Sequence, residues 1–174
     1  MRDTLLPVPF ISQYQDVLTK EHRQRACGMC CVAMALQYFD TPNLPSIDTL
    51  VETGMHSPDG YGPSGWKHDY FVSLFQSFGY ECARKEHMTA ADVSLIQAAI
   101  HAKNPVIASC VYRLFDRRHF HMVLITGVRE NPDGSIAGLF YNDPMSLRGE
   151  GMYVPLPDFL TDWRGMAIFP KKTA

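Results

Sequence analysis

The chain has 174 residues and a mass of 19.7 kDa, and its 46% hydrophobic content is enough for the core of a single domain over residues 1–174. Sixteen Lys and Arg stand against eighteen Asp and Glu for a formal net charge of −2, with no long run of either sign. That balance points away from nucleic-acid and membrane partners and fits a small or neutral substrate better. Five cysteines, an odd number in a chain that needs no staples, argue for a reducing compartment. Prolines at 7 and 9 interrupt any secretory apolar run, so a soluble, cytoplasmic protein is expected, unless an export signal has been removed.

Residues 7–15, Pro-Val-Pro-Phe-Ile-Ser-Gln-Tyr-Gln, read as an extended lead-in, because two prolines forbid a helix. On such a segment Gln13 and Gln15 share a face. A polar connector over residues 20–25 leads into a helix over residues 27–39, whose apolar density on every side predicts burial. This helix opens on Cys27, with Cys30 and Cys31 in its first turn and beyond. A thiol at a helix N-terminus meets free backbone N–H groups and the positive end of the macrodipole, both of which favour the thiolate. Cys27 is therefore the candidate nucleophile, while Cys30 and Cys31 read as packing.

Ser46 or Asp48 can cap a second helix ending near Gly54. Residues 55–66 are too rich in Gly and Pro for regular structure; they read either as a binding loop or as a surface connection anchored by Trp66. Residues 67–78 carry Tyr70, Phe71, Leu74, Phe75 and Phe78 at helical spacing, a core stripe stopped by Gly79. A strand over residues 80–87 and a helix from Thr89 to about residue 102 follow. Three apolar runs at residues 105–112, 120–128 and 136–142 read as strands, and Asn131-Pro-Asp-Gly134 predicts a hairpin between the last two. Two short strands near residues 152–154 and 165–170 flank a helical turn over residues 156–163. Helices first and an antiparallel sheet second is an α+β order.

The hairpin carries a chemical consequence. Reversal between Pro132 and Asp133 sets His121 opposite about residue 144, within one or two positions of Asp143. A carboxylate beside an imidazole fixes its tautomer and stabilises the imidazolium formed when it takes a proton. Asn142 could also orient a ring, but it lies on the opposite strand face from Asp143. A Cys–His pair can hold a thiolate, and Gln13, polar and upstream, could donate to an oxyanion beside the Cys27 N–H. Two rival readings use the same residues: a redox dithiol at Cys27-Gly-Met-Cys30, and a mixed metal site drawing on His119 and His121. Both are weaker, since Cys82 and Cys110 are isolated and no strand precedes the dithiol. No cofactor or metal is expected. The remaining histidines read as surface or supporting residues, although His68 beside the Gly-rich loop could touch substrate.

Val8-Pro-Phe-Ile-Ser-Gln13, Ala26-Cys27-Gly28 with Met34-Ala-Leu36, Gly65-Trp66, His121-Met-Val-Leu-Ile-Thr-Gly127, Tyr141-Asn-Asp-Pro144 and Phe159-Leu-Thr-Asp-Trp163 together resemble the bacteriocin-processing (double-glycine leader) peptidase-like family of papain-fold cysteine peptidases. The resemblance spans nearly the whole chain. It implies a papain-like α+β fold with the nucleophile helix buried against the sheet. It also implies Cys27 as nucleophile, His121 as general base, Asp143 as orienter and Gln13 as oxyanion donor, acting on a peptide or protein substrate. It selects Gln13 over Gln15 and His121 over His119. Two departures point to a stand-alone branch of that family: no transporter or ATPase segment accompanies the peptidase, and Ala26 precedes the nucleophile where the bacteriocin processors usually carry Asp. Acyl transfer to an amine, or peptide binding without catalysis, are the alternatives that the same fold would serve.

Overall fold

A computed structural model describes residues 1–114 and 117–172, with the backbone alone at 112–114 and 117–119. Among the described residues, nine strands, β1 (Arg2–Leu5), β2 (Tyr61–Gly62), β3 (Gly65–Trp66), β4 (Glu81–Lys85), β5 (Val106–Leu114), β6 (Arg117–Glu130), β7 (Ile136–Asn142), β8 (Met152–Pro155) and β9 (Trp163–Lys171), accompany five α-helices. The helices are α1 (Cys27–Tyr38), α2 (Ile47–His56), α3 (His68–Ser77), α4 (Val93–His101) and α5 (Leu156–Asp162). Seven strands form one antiparallel sheet in the order β4-β9-β5-β6-β7-β8, with β1 on the end of β6 that β5 does not reach. The fold is α+β and papain-like, with helices packed on an antiparallel sheet. No described helix is long and apolar enough to cross a membrane.

The middle of the molecule is α1. Gly28 to Leu36 are all buried, and the helix lies on β6 among Ile107, Leu124, Ile125, Phe71 and Phe75. At roughly 1.5–3 kcal/mol for each large apolar side chain removed from water, this contact fixes where the start of α1 points. Gly28 is a tight point of that contact: a Cβ there would come within 2.6 Å of the Phe71 ring and 2.9 Å of the Met122 sulfur. Gly28→Ala is therefore expected to cost about 1–3 kcal/mol, as overpacking of a dense core does, measured by chemical denaturation.

Several expectations meet a different structure. Residues 2–5, for which the sequence gives no expectation, form a strand, because Arg2 and Asp3 pair with Glu130 and Arg129 on β6 at 2.8 and 2.7 Å. The connector over residues 20–25 is a 3₁₀ helix. The Gly-rich segment is not irregular throughout, since Tyr61 faces Trp66 across the short β2–β3 ladder. Gln13 and Gln15 do not share a face: residues 13–16 form a turn held by Asp16, whose Oδ2 accepts from the Ser12 N–H at 2.7 Å, so Gln13 is buried and Gln15 exposed. Of the two candidate caps for α2, Ser46 accepts from the Thr49 N–H at 3.2 Å, whereas Asp48 accepts from the Leu18 and Thr19 N–H groups.

Candidate active site

The start of α1 carries no side-chain cap. Ala26 in the cap position offers no oxygen and the first turn holds no acid, so the terminal N–H groups are left to whatever lies in front of them. What stands there is the Cys27 sulfur, half-buried at the edge of a cavity of about 520 Å³. The β6–β7 hairpin delivers the partner. Leu124 faces Asn142, the chain leaves the ladder, and the buried His121 meets Asp143 at 2.6 Å from Nε2 to Oδ1. The Met145 N–H donates to the same carboxylate oxygen at 2.9 Å, which holds Asp143 in place. Asn142 points the other way, accepting from the Gly151 N–H at 2.9 Å and reaching the Met34 sulfur inside the core.

With Nε2 on Asp143, the other ring nitrogen stays clear of the carboxylate, and the ring shares the cavity wall with Cys27, near enough for its charge to act on the thiol. Burial pushes the Cys27 thiol up. The neighbouring His121 ring and its charge, with the Met122 and Gly28 N–H groups, outweigh it and leave the thiol below its ordinary value. Burial pulls His121 down, but Asp143 and then Cys27 raise it to about 9. The arrangement can thus hold sulfur as thiolate beside an imidazolium. The other thiols differ: burial drives Cys30 and Cys31 well above the usual thiol range, and Cys82 and Cys110 to about 12.

Gln13 lies fully buried, with its backbone N–H donating to the Pro144 carbonyl at 2.8 Å, one residue beyond Asp143. Among the described residues, neither Nε2 nor Oε1 of its side chain has a hydrogen-bond partner, and Gln13 does not line the cavity. Of the rival ligands, Cys30 is sealed in the core and the side chain of His119 lies outside the described residues.

Opposite Cys27, the β2–β3 hairpin supplies Tyr61 and Trp66, and His68 follows at the start of α3. Trp66 stacks on Tyr70 and donates its Nε1–H to the Arg25 carbonyl at 2.5 Å, tying the hairpin to the residues just before the nucleophile. Trp66→Phe is expected to cost at least about 1 kcal/mol in thermal unfolding and to slow alkylation of Cys27, because it loses this hydrogen bond and part of the indole's packing. Sequence reasoning missed Ser109, Phe120 and Arg164, which complete the cavity wall. The one local signal was Gly165 inside an otherwise apolar strand, a spacing that often marks a bulge.

The Peptidase_C39 like family matches residues 5–167. No curated protein sequence matches the chain. Among solved structures, the fold is similar to a double-glycine motif protease from an AMS/PCAT transporter in complex with the leader peptide, with a TM-score of 0.64 and 18% identity over 97% of this chain and 94% of that one. It is similar also to the peptidase domain of Streptococcus ComA, a bi-functional ABC transporter involved in a quorum-sensing pathway, with a TM-score of 0.60 and 18% identity over 86% of this chain and 93% of that one. UfSP from C. elegans matches with a TM-score of 0.62 and 13% identity over 99% of this chain and 35% of that one.

Proposed function

The chain belongs to the Peptidase_C39 like family and is a cysteine peptidase, and from that premise we propose that it hydrolyses a peptide bond through a thioester acyl-enzyme formed on Cys27. The observation that carries this reading is the placing of Cys27, at the start of α1, and His121, held by Asp143 at 2.6 Å, on the wall of one open cavity. The Cys27 thiolate attacks the scissile carbonyl carbon. Charge develops on the carbonyl oxygen, where the Cys27 backbone N–H and the Gln13 amide donate to it. The tetrahedral intermediate collapses as the His121 imidazolium passes its proton to the departing amine, leaving a thioester and a neutral ring. Water then enters, His121 takes its proton, the hydroxyl adds to the thioester carbon, and the acid leaves as the thiolate returns. Asp143 holds the ring in position throughout and stabilises its charged form.

A peptide or protein substrate is supported by the cavity and by the similar protease that binds a leader peptide. Incubation with a peptide library, read by mass spectrometry, is expected to yield new amino and carboxyl termini that Cys27→Ala does not produce. Products that keep the acyl part joined to an added amine would instead make the chain an acyltransferase. Peptides retained without any product would make it a binding module, and cleavage undiminished in Cys27→Ala would remove the nucleophile assignment.

A further inference from the structure

The cleft carries a charge that the whole chain does not. Arg25, Lys67 and Arg164 line it together with His68 and His121, and no Asp or Glu does so among the described residues. Two of these cations are committed to the neighbouring hairpin. The Arg25 guanidinium sits 5.4 Å above the Tyr61 ring, and the Lys67 Nζ donates to the Pro58 carbonyl at 2.8 Å with Asp59 at 3.9 Å.

Arg164 is different, and the sheet goes out of its way to aim it. Going along β5 and β9, Ile107 pairs with Ile168, Ala108 with Ala167 and Ser109 with Met166, but the next residue, Cys110, pairs with Trp163. Arg164 and Gly165 are therefore extra residues on β9, and Gly165 takes a φ of 63° to make the bend. The bulge lies at the level of Cys110, whose partner on the other side is His121. Bulges re-aim side chains, and this one turns Arg164 into the cavity that holds Cys27.

Once there, the guanidinium is fixed by neutral groups. Its centre lies 3.6 Å from the centroid of the Phe120 ring, and Nη1 donates to the buried Ser109 Oγ at 3.0 Å. No carboxylate among the described residues pairs with it. Burial first, then the charges of Arg164 and Arg84, hold His68 below the usual imidazole range, so the neighbouring ring adds no second charge at neutral pH. A planar, pre-positioned donor fork without a counter-charge, set in a cleft, matches one ligand chemistry above others, the carboxylate.

We propose that Arg164 forms a carboxylate subsite of the cleft and selects substrates that carry an acidic group close to the scissile bond. The subsite rests on the reading of Cys27 as the nucleophile. The acidic group can be an Asp or Glu side chain or the free carboxyl terminus of a short peptide, and both present the same two oxygens.

Three bromoacetyl probes of equal reach separate these sources: bromoacetyl-glutamine amide as the neutral form, bromoacetyl-glutamate α-amide with a side-chain carboxylate, and bromoacetyl-glutamine with a free terminal carboxylate. Each alkylates a thiolate with loss of bromide, and the rate at Cys27 is read by mass spectrometry of its peptide. In the native protein at least one carboxylate probe is expected to react about tenfold faster than the neutral probe, the worth of one charge-assisted hydrogen bond. The faster of the two identifies the source. Arg164→Gln should bring that ratio close to the ratio measured on free cysteine, and Arg164→Lys should keep part of it. A native ratio equal to that of free cysteine overturns the subsite without recourse to any variant. So does a raised ratio that Arg164→Gln leaves unchanged, which would place the preference on the His121 imidazolium. If all three probes label Cys27 no faster than the other four cysteines, the nucleophile assignment itself fails and the subsite with it.

Discussion

Replacement of Cys27 by alanine is expected to lower peptide-bond hydrolysis by about 10⁴–10⁶-fold, the loss seen when a covalent nucleophile is removed from an intact site. No other cysteine can substitute. Cys30 and Cys31 are sealed in the core with thiols held well above the usual range, and Cys82 and Cys110 stand at about 12. The companion variant, His121→Ala, removes the group that overrides burial at Cys27, so the thiol moves up and alkylation by iodoacetamide at neutral pH falls by about 10²–10⁴-fold. The pH profile of kcat/KM follows from the same pair. Activity rises as the depressed Cys27 thiol ionises, and it falls near pH 9 as His121 loses the proton that it must give to the leaving amine. In Asp143→Asn the leading support for the imidazolium is gone, so the basic limb shifts to lower pH, and a shift of about two pKa units would lower the rate near pH 8 by about an order of magnitude. A basic limb that does not move in Asp143→Asn would detach the carboxylate from the ring's chemistry.

How far the sequence reached depends on whether the deciding interaction was local. α1, α3 and β7 lie close to where periodicity puts them, because an apolar run and its stop signal sit within the same dozen residues. The neighbourhood of His121 and Asp143 was also legible, through a turn whose chemistry is local. Leu124 faces Asn142 and Val128 faces Leu139, one and two positions from the expected register, since one bulge adds Thr126 on β6 and another adds Ala137 on β7. That error does not separate the two side chains, because the tolerance of the pairing covered it. β1 was not legible. Arg2-Asp-Thr-Leu5 has no strand pattern of its own and becomes a strand through ion pairs to residues more than 120 positions away. Arg164 was hidden for the same reason: its direction is set by a mismatch between β5 and β9 that neither strand shows alone.

A net charge of −2 says nothing about where each sign sits, and the cleft gathers cations on β9, on the segment before α1 and on the hairpin side while carboxylates occupy other faces. Low-dielectric walls strengthen such a local field relative to the average of the surface, so the substrate meets the cleft's charge rather than the chain's.

Gln13 offers the sharpest separation between structural and chemical roles, because the two predict opposite signs. Its side chain is fully buried, and among the described residues neither polar atom has a partner, a state that costs about 1–3 kcal/mol. Gln13→Leu keeps the volume and removes those atoms, so it should stabilise the protein and raise Tm by about 2–4 °C for each kcal/mol recovered. If the amide is the oxyanion donor, the same variant should lose about 10²–10³ in kcat with little change in KM, since an oxyanion exists only after attack. A core residue maintained for packing could not give a more stable and less active protein from one substitution. Were Gln13→Leu to gain stability and keep its rate, the donor would have to be sought elsewhere, first among the uncapped N–H groups at the start of α1. A fall in both Tm and rate would mean that the amide finds partners in the working protein, and the turn at residues 13–16 would then be the element that presents it. A more stable but slower Gln13→Leu would identify the amide as stability given up where the reaction, rather than the fold, supplies a hydrogen-bond partner.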